Sequence, residues 1–242
     1  MQQSIDLLRR KLGEIYPPGE IIGFTRMIFE TLCGYTPTDI LLHKDTILSE
    51  DIHRKIERIT DRLSQQEPIQ YILGYTDFCG RRFDIAPGAL IPRPETEELT
   101  RLVITENSGQ PSRIADLGTG SGCIAVTLAL SLPDSKIEAW DISTEALEIA
   151  QCNARKHNAH VNFFQRDILR YDVSELPEES LDIIVSSPPY IRRCESRSMS
   201  ANVLEYEPHI ALFVPNESPL LFYEKIAMDS VCLLYTSDAA DD

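Results

Sequence analysis

Residues 113–125 read R-I-A-D-L-G-T-G-S-G-C-I-A. Arg113 to Leu117 is a short apolar run of strand length, and the apolar stretch Cys123 to Leu132 has the length of a helix. Between them, Asp116-Leu117-Gly118-Thr119-Gly120-Ser121-Gly122 places glycine at every second position. That lets the backbone bend sharply and a ligand come close to it. The spacing differs from the G-x-G-x-x-G of dinucleotide-binding turns. The same alternation continues downstream. Lys136 to Asp141 reads as a strand, Thr144 to His157 as a helix, and Val161 to Gln165 and Leu181 to Val185 as further strands. Apolar strands alternating with helices predict an α/β fold with a doubly wound parallel sheet. Such sheets bind ligands at the carboxyl ends of their strands.

Three further positions fall on that edge. Asp141 closes the second strand in W-D-I-S, about 20 residues past the glycines, where a carboxylate can accept both hydroxyls of a ribose. The competing reading is an N-cap for the next helix, a role for which Ser143 is also placed. Asp167, in Q-R-D-I-L, follows the third strand with Ile168 beside it. After the fourth strand comes Ser187-Pro188-Pro189-Tyr190. Two prolines end any regular structure and leave a stiff loop that can hold carbonyls and one ring in fixed directions, as gripping a planar NH2 group requires. A strand-ending turn with a packed tyrosine is the simpler alternative.

D-x-G-x-G-x-G resembles the glycine turn of S-adenosylmethionine-dependent methyltransferases. The resemblance implies that Gly118, Thr119, Gly120, Ser121 and Gly122 cradle that cofactor. Asp116 would then lie near its cationic part or amino group, Asp141 on its ribose, and Asp167 and Ile168 at its adenine. The methyl would point at the proline loop. The Ser187 side chain and the Pro188 carbonyl would hold both N–H bonds of an sp2 amine, and Tyr190 would stack on the acceptor.

The chain has 242 residues, 43% hydrophobic and 25% charged, with a net charge of −15 at pH 7. Such acidity repels phosphate backbones, so stable nucleic-acid binding is not expected. Six scattered cysteines without a C-x-x-C pair indicate neither a metal site nor a disulfide framework. No signal-peptide h-region or membrane-length apolar run is present, and a cytoplasmic location is expected.

Residues 1–75 read as a small helical domain. Ile5, Leu8, Leu12 and Ile15 share one helical face, a second helix runs from Ile21 to Cys33, and Thr38-Asp39 caps a short turn. Ser49 caps a longer helix carrying Ile52, Ile56, Ile59 and Leu63. Residues 76–98 read as a β-hairpin and a linker, in which Arg93 and Glu97 are either cleft-lining residues or members of a salt-bridged loop. The sheet domain occupies 99–230.

Five stretches make the chain resemble the peptide chain release factor N(5)-glutamine methyltransferases (PrmC/HemK) from about residue 5 to 230. They are E-P-I-Q-Y-I-L-G (67–74), I-P-R-P-E-T-E-E-L (91–99), D-L-G-T-G-S-G-C-I-A (116–125), the S-P-P-Y loop and Y-E-P-H-I-A-L-F (206–213). The resemblance implies a Rossmann-like class I methyltransferase domain behind a helical domain that helps dock release factors. It also implies methylation of the glutamine amide in their Gly-Gly-Gln motif, with Arg93, Glu97 and the Ser187–Tyr190 loop facing the substrate. Two departures stand out. The family has Asn where this chain has Ser187, and losing one well-placed acceptor costs roughly 10²–10³-fold in rate by analogy with oxyanion donors. Residues 231–242 do not match, which reads as a truncated frame with a foreign tail. S-P-P-Y also resembles the loop of DNA methyltransferases acting on exocyclic amines. A DNA amino methyltransferase and an inactive fragment are therefore the alternatives.

Overall fold

The computed structural model describes residues 1–172 and 180–234. Two compact units divide the chain: Met1–Gly74 with Ala201–Tyr206, and Tyr75–Ser200 with the residues from Glu207 onward.

The first unit is helical: α1 (Gln2–Leu12), α2 (Pro18–Cys33), α3 (Pro37–Leu42), α4 (Glu50–Ser64) and α5 (Ile69–Leu73). Leu8 and Leu12 of α1, Ile28 and Phe29 of α2, and Ile56 and Leu63 of α4 are fully buried in one core. Each such side chain contributes roughly 1.5–3 kcal/mol. Ile15 does not share this face, because α1 ends at Leu12 and leaves Ile15 exposed. Helix α2 begins on Pro18, whose missing N–H costs nothing in a first turn, and ends on Gly34 at φ +68°. The cap of α3 is Thr36 rather than Thr38. Its hydroxyl accepts from the Asp39 N–H while the Asp39 carboxylate accepts from the Thr36 N–H, a reciprocal capping box. Ser49 caps α4 as expected. A later helix, Ala201–Tyr206, completes this unit, and the Tyr206 hydroxyl donates to the Gln65 carbonyl at 2.9 Å.

The second unit opens with a hairpin of β1 (Tyr75–Phe78) and β2 (Arg81–Asp84). Its two-residue turn, Cys79-Gly80, has both φ angles positive, +47° and +74°, which matches the twist of antiparallel strands. The hairpin is part of this unit, not a linker outside it. Helix α6 (Pro94–Glu106) follows, starting on a proline inside the stretch read as a linker. Then come β3 (Arg113–Leu117), α7 (Cys123–Ser131), β4 (Lys136–Asp141), α8 (Thr144–His157), β5 (Val161–Gln165) and β6 (Ile183–Ser186). The four strands form a parallel sheet in the order β5-β4-β3-β6. Alternate residues serve opposite faces. Ile114, Ile137 and Ala139 pack with Ile124, Val126 and Leu128 of α7, whereas Ala115, Leu117 and Trp140 pack with Ile168 and Leu233.

Two boundaries differ from the sequence reading. Strand β6 starts at Ile183, and Leu181 instead forms a bridge to Leu234. The last described helix, Leu221–Leu233, runs into the expected tail. Leu233 is 1% exposed, so its burial beside Leu181 holds the final turn in place. Val231–Leu233 of the expected tail thus lie within this helix, and residues 235–242 lie outside the described residues. Among the described residues no helix is long and apolar enough to cross a membrane.

Candidate active site

The glycine turn is held from below. The N–H groups of Gly118 and Thr119 donate to the Trp140 carbonyl at 2.8 and 2.9 Å. Asp116 is fully buried, and its Oδ2 accepts from the Thr119 hydroxyl at 2.7 Å and the Ala125 N–H at 3.2 Å. Burial pushes this carboxyl up to about 7, against its hydrogen bonds. Asp116 therefore folds the turn onto the start of α7 and does not line the cavity beyond it, contrary to the contact expected with a cofactor.

The three glycines have φ of +77°, +55° and +78°. At Gly118 and Gly120 a Cβ would meet no heavy atom within 4 Å, so open space faces both. At Gly122 it would lie 2.8 Å from the Cβ of Ala150 in α8. Gly122 is thus a packing glycine, away from the cavity, as are the buried Thr119 and Ser121. Asn153 of α8, fully buried, ties the same region together. It donates to the carbonyls of Ser121 and Asp84, both at 2.9 Å, and accepts from the Asp84 N–H at 2.7 Å.

A cavity of about 210 Å³ lies at the carboxyl edge of the sheet, with Gly118, Gly120 and Asp141 in its wall. Asp141 accepts from the Gly120 N–H at 2.8 Å and the Ser143 N–H at 2.9 Å, and burial raises its pKa against these two bonds. Ser143 takes the N-cap of α8 through a 3.1 Å bond from the Ala146 N–H, which leaves Asp141 free to face the cavity. Asp167 and Ile168 line it too, the Asp167 carboxylate accepting from the Leu169 N–H at 3.0 Å. Beside them the Arg166 guanidinium stacks on the rings of Trp140, Phe164 and Tyr171 at 4.2 to 4.5 Å.

Ser187, Pro188 and Pro189 reach the same cavity from the end of β6. The Ser186 hydroxyl donates to the Leu117 carbonyl at 2.6 Å and so fixes where the loop begins. The loop leaves through β7 (Ile191–Arg192), which pairs in parallel with β8 (Phe213–Val214).

Residues 78–205 match the methyltransferase small domain family, and residues 11–74 match the PrmC N-terminal domain. The release factor glutamine methyltransferase of Bacteroides thetaiotaomicron is 50% identical over 227 residues, covering 94% of this chain and 81% of that protein. The enzymes of the same name from Flavobacterium psychrophilum and Streptococcus pneumoniae are 43% and 38% identical, over 89% and 93% of the chain and 76% and 78% of their own lengths.

This chain belongs to the release factor glutamine methyltransferase family.

The cavity fits the cofactor of such a methyltransferase, S-adenosylmethionine. Two glycines without a neighbour in their Cβ direction give it room, and Asp141 and Asp167 bring acceptors for hydroxyl and amino groups. Other expected site residues fall elsewhere in this methyltransferase. Tyr190 is 61% exposed and outside the cavity wall. Arg93 and Glu97 do not line it either. Arg93 pairs with Glu207 at 2.8 Å and Glu97 with Arg101, which is the salt-bridged reading of that stretch. The walls that sequence reasoning missed include Gly88–Leu90, Ile210–Ala211 and Phe222. Two of these adjoin or lie within the stretches 91–99 and 206–213, which carried the family resemblance without visible chemistry of their own.

Proposed function

We propose that this chain transfers a methyl group from S-adenosylmethionine to the side-chain amide nitrogen of the glutamine in the Gly-Gly-Gln motif of peptide chain release factors. The observation that carries this reading is the Ser187-Pro188-Pro189 loop on the same cavity as Asp141, Asp167 and the open glycines. When bound, the cofactor supplies an electrophilic methyl on a sulfonium. The chain's own residues do the rest. Asp141 accepts from ribose hydroxyls, and Asp167 with Ile168 takes the adenine. The Ser187 hydroxyl and the Pro188 carbonyl accept from the two amide N–H bonds. That restrains the NH2 group and turns its delocalised lone pair toward the methyl. No strong base is required, since an alkylated amide nitrogen gives up its proton readily to water. The reading places the enzyme in the cytoplasm, with the release factor as its protein partner.

The first unit supports a docking role for that partner. A groove of about 840 Å³ on it has an apolar floor including Ile5, Ile21 and Leu41, and its only charged lining residues are Arg9, Arg26 and Lys44. Among the described residues none of these three cations forms an ion pair, and no carboxylate lines the groove, although the chain as a whole carries −15. Such a surface suits an acidic segment with apolar side chains.

The test is transfer of labelled methyl from S-adenosylmethionine with purified release factor and duplex DNA as separate acceptors. Label is expected on the Gly-Gly-Gln peptide and is lost when that glutamine is replaced by alanine. Label in DNA alone, or in neither acceptor, would overturn the reading.

A further inference from the structure

Glu207 is an acidic side chain almost fully buried beside the cavity yet outside the cofactor edge, at 2% side-chain exposure. Both of its oxygens are in use. Oε2 accepts from the Ile91 N–H at 3.2 Å and Oε1 from the Arg93 guanidinium at 2.8 Å. The stretch it grips, Ala86 to Pro94, contains Pro87, Pro92 and Pro94, none of which can donate a backbone hydrogen bond. A loop so poor in donors gains little from regular structure and depends on a side chain to fix it. A buried carboxylate is expensive unless paired and bonded, as this one is.

What Glu207 joins matters for the chemistry. Leu90 and Ala89, just before Ile91, line the cavity, and so do Ile210 and Ala211, just after Glu207. The second segment continues into β8, and the Leu212 carbonyl accepts from the Ile191 N–H at 3.1 Å, directly after the acceptor loop. Segment 207–214 is therefore fixed at one end to the loop 89–93 and at the other to the exit of Ser187–Tyr190. The cofactor-edge carboxylates do not share this support. Asp141 and Asp167 are held by the N–H groups of Gly120, Ser143 and Leu169.

We propose that Glu207 is a positioning residue for methyl transfer, holding the walls 88–90 and 210–211 in register with the acceptor loop. The proposal rests on the methyltransferase reading above. It assigns the loss of Glu207 to the rate of transfer and not to cofactor affinity, because a misplacement of about 1 Å is worth about 10² in rate.

The experiment compares Glu207→Gln, which keeps an acceptor for Ile91 but loses the charge on Arg93, with Glu207→Ala. Amide hydrogen exchange is followed over residues 86–93 and 209–213, cofactor affinity by calorimetry, and kcat with release factor. Expected are faster exchange in both segments, cofactor Kd within about threefold of wild type, and kcat lower by about 10²-fold in Glu207→Ala and by less in Glu207→Gln. Unchanged kcat with loosened segments would overturn the proposal. So would unchanged exchange with reduced kcat, or a cofactor Kd that weakens as much as kcat. Exchange in β3 and β4 separates these outcomes from general unfolding. Were the wild-type chain inert toward every acceptor, the functional reading would fail by itself, while exchange would still decide whether Glu207 holds the wall.

Discussion

Replacing Gly122 with alanine asks two things of the backbone at once. The residue sits at φ +78°, where a non-glycine residue costs roughly 1–2 kcal/mol. Its new Cβ would also stand 2.8 Å from the Cβ and 3.0 Å from the Cα of Ala150, so α7 and α8 must move apart. Overpacking of this kind costs typically about 1–3 kcal/mol, which brings the total to about 2–5 kcal/mol. Domains hold only about 5–15 kcal/mol in all, so the variant should be conspicuous. Gly120→Ala is the matched control. It has φ +55° and no heavy atom within 4 Å of the added Cβ, so only the backbone cost applies, about 1–2 kcal/mol. The assay is urea unfolding followed by the fluorescence of Trp140, the single tryptophan, which is 2% exposed in the sheet core. Gly120→Ala should weaken cofactor binding more than it lowers stability, and Gly122→Ala should do the reverse. Adding Ala150→Gly to Gly122→Ala should recover the steric part despite a helix-propensity cost of about 1 kcal/mol. Equal stability losses at the two glycines would refute the assignment of Gly122 to packing.

Two further outcomes follow from the same geometry. The folded Asp116 carboxyl keeps its proton up to about pH 7 whereas its ordinary value is 3.8, so between those pH values the native state binds a proton that the unfolded state has lost. Its contribution to stability therefore falls as pH rises across that window, by up to about 1.4 kcal/mol per pH unit. Asp116→Asn lacks this slope and should gain on wild type from pH 4 to 7 in urea titrations, and parallel profiles would contradict the burial argument. Reversing charge at Arg9, Arg26 and Lys44 to Glu should raise the KM for intact release factor about tenfold or more while leaving a short Gly-Gly-Gln peptide unaffected. Equal shifts for both acceptors would exclude the groove as a docking surface.

The elements of the sheet unit were legible because their signals are local. An apolar run of five residues, a glycine turn and an amphipathic helix announce β3, α7, β4 and α8 almost to the residue. What a side chain meets across the fold is a different matter. Asp116 and Asp141 occupy equivalent-looking ends of neighbouring strands, but one is fully buried under the glycine turn and the other faces the cavity. Only the register of β3 on β4 separates them. Gly118, Gly120 and Gly122 likewise look alike in sequence, and the approach of Ala150 sets the third apart. Arg93 and Glu97 drew attention as charges beside prolines, but the partner that explains Arg93, Glu207, is 114 residues away in sequence. Asn153 gave no signal at all, since a single asparagine inside a helix reads as surface.

The route of the chain has a consequence for how the protein is born. The first unit takes its last helix, Ala201–Tyr206, from a part of the sequence that follows Gly74 by more than a hundred residues, and Tyr206 closes onto Gln65. At about 5–20 residues per second, synthesis takes roughly 7–26 s to travel from Gly74 to Tyr206. During that interval all four strands of the parallel sheet leave the ribosome, β6 ending at Ser186. The nascent helical unit must wait with its final piece missing while the four strands are already free to pair, and the sheet unit waits in turn for Glu207–Leu233, so both units receive their last pieces in close succession at the end of synthesis.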